Sequence, residues 1–336
     1  MQAVVIREIG SFQLEDIPIP EPRPDEALVR VRVAGLCRTD LKVVRHGHRD
    51  LVLPRVPGEE VVGEVVALGS AAGEPFTPGD RVYVYPGVWC GECPSCRRGA
   101  ENLCRRMRIM GFHRDGGFAE YVTAPLRSLI RVPEELRDEA AVFAEPLSCC
   151  LNALELGGVG EGDRMGVWGA GPAGTLLSRA GALRGASVLV VEPEPGRRER
   201  MTAAPGTPPA VTVLLETSGL LDVAVVAVGD PRAYEAALAT LAPRGRLVVF
   251  SGLLPGDDAV VQVSLNAVHY QEQTLVGAYG CSLRHGVEAL ELLASGRLRV
   301  DDLISHRLPL TALDEGLDLV ARRAGMKVHV YPGGVQ

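Results

Sequence analysis

Along the first third of the chain, apolar and polar residues alternate with a period of two, the pattern of strands with one buried face. Met1 to Glu8 alternates in this way, and Leu28 to Val33 interleaves its apolar residues with Arg30 and Arg32. Pro18, Pro20, Pro22 and Pro24 mark an extended loop before that second run. A β-rich run from Val61 to Gly69 ends at a turn, Phe76 to Val82 repeats turn then strand, and residues 112–132 do so again. These short strands predict a small barrel-like β domain.

The pattern then changes. Helical composition runs from Glu134 to Leu156, broken by Pro146. From Met165 an apolar strand enters a glycine turn, a helix follows, and a second apolar strand ends at Glu192. Asp222–Val228 reads as a buried strand, Tyr234–Leu241 as a helix, Leu247–Ser251 as a strand, and Leu275–Tyr279 as the sheet's last strand. This alternation predicts an α/β domain with a doubly wound parallel sheet. One part is thin: residues 193–221 hold five prolines, a short strand candidate at Val211–Leu214 and little room for a helix. Amphipathic helices at Arg284–Ser295 and Leu317–Ala324 and a strand at Lys327–Tyr331 close the chain.

Composition adds only bounds. A length of 336 residues suggests two domains. The net charge of −7 gives no sign of a nucleic-acid partner. No stretch is long and apolar enough to predict a membrane span, and the N-terminus does not read as a signal peptide. A cytoplasmic location is expected. There, eight cysteines point to metal ligation or reduced thiols rather than disulfides.

Two stretches carry chemistry. Cys90, Cys93, Cys96 and Cys104 are spaced C-x2-C-x2-C-x7-C, which lets four thiolates wrap one tetrahedral zinc. A site with four protein ligands has no open position, so its role is structural. An iron–sulfur cluster is the alternative by ligand type. The second stretch, Met165–Glu192, contains Gly169, Gly171 and Gly174 as G-x-G-x-x-G between a strand and a helix. Such a turn brings a pyrophosphate to the N–H groups of a helix N-terminus. Glu192 stands near the spacing of a ribose 2′-OH acceptor and would repel a 2′-phosphate, which favours NAD over NADP. Arg197 and Arg198 argue the other way. Candidate dinucleotide contacts are therefore Gly169, Gly171, Pro172, Ala173, Gly174, Glu192, Arg197 and Val228.

With Cys37, the four-cysteine lobe, Glu145-Pro146-Leu147 and Gly169–Gly174 in order, the chain resembles the zinc-dependent medium-chain dehydrogenase/reductase family over essentially its whole length. Glu-Pro-Leu and Asp115–Tyr121 (Asp-Gly-Gly-Phe-Ala-Glu-Tyr) are similar to its polyol, sugar and threonine branch. The resemblance implies a GroES-like β-rich catalytic domain over 1–146, a Rossmann domain over 147–280 and a return to the catalytic domain over 281–336. It implies homodimers or homotetramers joined partly through the sheet edge near Leu275–Ala278. It also implies oxidation of a polar secondary alcohol to a ketone. Cys37 matches the first catalytic zinc ligand, Thr39 the hydroxyl that bonds the substrate alcohol, Glu60 the acid beside the zinc, and Glu145 the third ligand position.

Two positions depart from the pattern. Glu59 stands where the family has a histidine ligand, and Lys42 where many members have a proton-passing histidine. Cys37, Glu59 and Glu145 would give zinc three anionic ligands and a net charge of about −1 by formal counting, so the metal would polarise its alcohol less. Without zinc, at least one of the crowded carboxylates should take up a proton and could act as general acid–base. His46 and His48 are further proton carriers, and the Arg45–Arg55 run suggests either a polar or anionic substrate or a solvated loop. The competing readings are a zinc-independent reductase of a C=C or C=N bond and a nucleotide-binding protein without catalysis.

Overall fold

The computed structural model describes residues 1–70, 76–217, 219–253 and 260–335. They fall into two compact units, Met1–Glu145 with Ser282–Gly296 and Leu303–Gln336, and Pro146–Cys281 with Arg297–Asp302.

Among the described residues the first unit begins with nine strands: β1 (Gln2–Glu8), β2 (Ser11–Asp16), β3 (Glu26–Leu36), β4 (Glu60–Leu68), β5 (Arg81–Val84), β6 (Gly87–Val88), β7 (Arg108–Ile109), β8 (Tyr121–Pro125) and β9 (Leu129–Arg131). The second unit holds β10 (Arg164–Trp168), β11 (Ser187–Val191), β12 (Val211–Leu214), β13 (Leu221–Val226), β14 (Leu241–Val249) and β15 (Thr274–Gly277). The chain returns to the first unit with β16 (Ile304–Pro309) and β17 (Lys327–Tyr331).

Among the described residues the first unit's main sheet runs β16-β17-β3-β4-β5-β9, with β8 also on β3. Its pairs are antiparallel except β16–β17. Strand β3 is its spine: Val29, Val31 and Val33 are buried while Arg30 and Arg32 face out, as the alternation predicts. In the second unit the order is β12-β11-β10-β13-β14-β15, with every pair parallel. This is a doubly wound parallel sheet whose order reverses beside β10.

Two local expectations are corrected. Pro146 does not break a helix; it sits in the first turn of Ala144–Leu156, where a missing N–H costs no internal bond. The proline-rich stretch after Glu192 does form a helix, Pro195–Ala203. Pro195 opens it, and the Glu194 carboxylate accepts N–H bonds from Gly196 and Arg197. The short strand expected at Val211–Leu214 is β12. No helix of the described residues is long and apolar enough to cross a membrane.

Candidate active site and zinc lobe

The four-cysteine lobe is the most complete ligand set. Its sulfurs stand 3.5–3.9 Å apart across the close pairs. A tetrahedral zinc with bonds of about 2.3 Å spaces its sulfurs at about 3.8 Å, so the lobe fits zinc as it stands. Backbone N–H groups of Cys93, Cys90 and Arg106 donate to Cys90 Sγ and Cys104 Sγ at 3.3–3.4 Å. These bonds favour thiolate: against the cost of burial, hydrogen bonds led by the Cys93 N–H bring Cys90 down to about 6. Burial and its sulfur neighbours push Cys96 up to about 12. Four close thiols cannot all ionise without a cation among them.

The second cluster gathers where β3 meets β4 and β17. The helix Arg38–His46 starts at Cys37, whose N–H donates to the Asp40 carboxylate at 2.9 Å, an acid at the helix's positive end. Leu41 and Val44 face inward, and Gly47, at φ +71°, ends the helix. Cys37 and Thr39 are half-buried, whereas Asp40 is buried. Lys42, one turn on, is half-buried; burial, then the Arg38 charge, lowers its pKa, and Cys37 opposes this.

Glu59 and Glu60 part ways at the start of β4. Glu60 is 1% exposed and accepts a hydrogen bond from the Lys327 ammonium, itself 3% exposed on β17. Burial works against that ammonium, but the charges of Glu60, Cys37 and Glu145 outweigh it and raise its pKa. Gly35 makes room for the pair: a Cβ there would lie 1.9 Å from Glu60 Oε2 and 3.0 Å from Lys327 Cε. Glu59 is half-buried, and burial, then the charges of Glu145, Asp40 and Glu60, raise its pKa well above the usual carboxylate range, with Lys327 opposing. Cys37 is likewise pushed up by burial, then by Asp40, Glu60 and Glu59. Burial carries Asp40 up to about 6 despite its bonds to Cys37.

Cys37, Glu59 and Glu145 thus share one electrostatic neighbourhood. Among the described residues, however, their ligand atoms do not all come within 4.8 Å of one another, as those of the lobe do. With no neutral donor and a buried lysine in the same cluster, these residues do not fit a catalytic zinc as they stand. The loop that follows is largely self-satisfied. His48 packs edge-on against Phe112 and lies 3.6 Å from Asp50, Arg55 pairs with Asp115 at 2.7 Å, and Arg45 with Asp318. His46 is exposed.

The glycine turn follows β10. Gly169 has φ +110°, and Gly174 lies so close to it that a Cβ would sit 1.8 Å from Gly169 O. Val228 packs over Gly169, whose Cβ would meet Val228 Cγ1 at 2.6 Å. The helix Pro172–Leu183 begins at Gly171 with Pro172 and Ala173 in its first turn and no side chain capping it, which leaves its first-turn N–H groups uncapped by a side chain. Glu192, directly after β11, is buried. Its oxygens accept the N–H groups of Ala170, at 2.8 Å, and Glu194, at 3.0 Å, bracing the turn while each keeps a lone pair. Arg197 Nη1 lies 3.6 Å from where a Gly171 Cβ would be, and Arg198 donates to the carbonyls of Glu192 and Pro193.

Sequence reasoning missed Asp40, Lys327 and Gly35. A signal for Lys327 was present: Lys327-Val328-His329-Val330 alternates, yet all four are buried, so the polar face also needed partners.

Residues 23–134 match the alcohol dehydrogenase GroES-like domain. The chain is 30% identical over 329 residues to L-galactonate-5-dehydrogenase of Escherichia coli (strain K12), covering 94% of each. It is 32% identical over 320 residues to D-altritol 5-dehydrogenase of Agrobacterium fabrum, covering 93% of this chain and 94% of that one. A crystal structure from Sinorhizobium meliloti 1021, described as a zinc-binding dehydrogenase bound to NADP, is 30% identical, with a TM-score of 0.90 over 98% of this chain and 99% of that one.

Proposed function

The chain belongs to the zinc-dependent medium-chain dehydrogenase/reductase family, and on that footing we propose that it oxidises a secondary hydroxyl of a polyol or sugar acid to a ketone, with NAD as hydride acceptor. The observation that carries this reading is that two relatives matched over more than nine-tenths of the chain are dehydrogenases named for polyhydroxylated substrates. NAD, when bound, supplies the carbon that takes the hydride. The turn Gly169–Gly174 and the uncapped N–H groups after Gly171 would hold its pyrophosphate, and Glu192 would take a ribose hydroxyl on its remaining lone pairs. Zinc, when held by Cys90, Cys93, Cys96 and Cys104, cross-links the lobe and offers no open position.

The remaining steps belong to side chains. Thr39, half-buried at the start of its helix, orients the substrate hydroxyl. Glu59, whose proton affinity is raised, takes the alcohol's proton as hydride leaves and returns it in the reverse direction. Lys42, whose pKa is lowered by burial and then by the Arg38 charge, passes that proton to solvent. The Glu60–Lys327 pair holds the start of β4, and with it Glu59, in place. A cytoplasmic homo-oligomer fits the same reading: β15 is a sheet edge, and Leu265 and Tyr270 just before it are 78% and 76% exposed.

The test is formation of reduced nicotinamide from hexitols, aldonates, tetritols and L-threonine, with NAD and with NADP. Turnover of a polyol or aldonate is expected. No turnover across the panel with either dinucleotide would sink the proposal.

A further inference from the structure

We infer that this chain carries one zinc, in the four-cysteine lobe, and that the cluster around Cys37 works without a metal. The inference rests on the proposed function only in taking that cluster as the place where the substrate hydroxyl reacts. The two candidate sites differ in geometry. In the lobe the sulfurs already stand at the separations of a tetrahedral zinc set. In the Cys37 cluster, the ligand atoms of Cys37, Glu59 and Glu145 do not all fall within 4.8 Å of one another; Glu145 instead groups with Cys149 and Cys281, three donors against the lobe's four and none of them neutral when ligated.

They differ equally in charge. The cluster's donors, the Cys37 thiol and the Glu59 and Glu145 carboxyls, are all anionic when they bind a metal, and Asp40 and Glu60 add two more acids. The cation that answers these acids is part of the chain. The Lys327 ammonium is buried from β17, bonded to Glu60 on β4, and admitted by the missing side chain of Gly35. A divalent ion among Cys37, Glu59 and Glu145 would stand close to this ammonium in a poorly solvated region, where like charges repel strongly. A histidine at 59 would give a neutral donor; glutamate gives another charge that Lys327 must balance.

The test uses the full-length protein, purified without chelator, equilibrated with zinc chloride and desalted. Zinc per chain is measured by elemental analysis in the wild type and in Cys37→Ser, with circular dichroism to verify the fold. One zinc per chain in both proteins is expected. Two or none in the wild type, or a lower count in folded Cys37→Ser, overturns the inference. Cobalt substitution gives a second readout: the thiolate-to-cobalt absorption should be identical in the two proteins, and its weakening in Cys37→Ser would place cobalt on Cys37. Failure of the dehydrogenase reading shows separately, as no reduced nicotinamide from the substrate panel while the zinc count stands at one.

Discussion

At the scale of single residues the cluster around Cys37 is governed by burial. Asp40 keeps the helix start in place through the Cys37 N–H, yet it is 4% exposed and lies near Glu60. Folding raises its pKa from 3.8 to about 6. The folded protein therefore holds a proton that the unfolded chain has released, and this group's contribution to stability falls as pH rises from about 4 to about 6, then stays level. Asp40→Asn is neutral at every pH and still accepts the Cys37 N–H. Relative to wild type it should gain roughly 3 kcal/mol across that window in urea unfolding at pH 4 and pH 7. Equal gains at the two pH values would mean that Asp40 ionises freely. Glu192 sets a second outcome at this scale. Its charge is expected to favour NAD, so Glu192→Gln should shift the kcat/KM ratio toward NADP by about tenfold, or about 1.4 kcal/mol. An unchanged ratio would leave Glu192 only its visible work of bracing Ala170 and Glu194.

At the scale of elements, β17 joins the acidic cluster to the apolar core. Lys327 and His329 share one face of it, and His329 is paired with Gly35 of β3, the residue that also faces Glu60. Across these three strands, Gly35 is the gap into which the Glu60–Lys327 pair fits. His329 is fully buried against Phe143, with neither ring nitrogen hydrogen-bonded to the protein. Burial, then the Lys327 and Arg307 charges, lowers its pKa to about 3. The unfolded chain takes up a proton below about 6.5 that the folded strand refuses, so stability is lost as pH falls through that range. At pH 5 the loss is roughly 2 kcal/mol, and His329→Leu should abolish it, bringing the unfolding midpoint at pH 5 closer to that at pH 7. A pH difference as large as in wild type would assign the acid sensitivity elsewhere. This strand also shows where sequence reading stops. The four cysteines lie within fifteen residues and the glycine turn within six, so spacing alone displays their geometry. Lys327 and Glu60 are 267 positions apart, and no local pattern pairs them. Proline also misleads at helix ends, as a break at Pro146 and as crowding in the stretch after Glu192: at Pro146 and Pro195 it occupies a first turn, where its fixed φ suits the helix.

At the scale of the whole molecule the alternation of strands and helices made the two architectures legible, but not how the chain divides between them near its end. Residues Ser282–Gly296 belong to the first unit, and the next six, Arg297–Asp302, belong to the second. One side chain explains the short return. Arg179, on the helix that opens at the glycine turn, is 1% exposed. It donates to both Asp302 oxygens, at 2.9 and 2.5 Å, and to the Arg299 carbonyl at 2.6 Å. Gly206 leaves it space, since a Cβ there would lie 2.6 Å from Arg179 Nη1. Breaking this pair strands a buried guanidinium, at a cost of about 3–5 kcal/mol, far more than a surface ion pair is worth. Asp302→Ala should therefore lower the midpoint of the thermal transition that bound dinucleotide raises, while zinc in the four-cysteine lobe stays at its wild-type content. Asp302→Glu, which restores the charge, should recover part of the loss. A midpoint equal to wild type would show that the segment is held by Leu298 and Val300, both buried, and that Arg179 keeps enough carbonyl partners without the carboxylate.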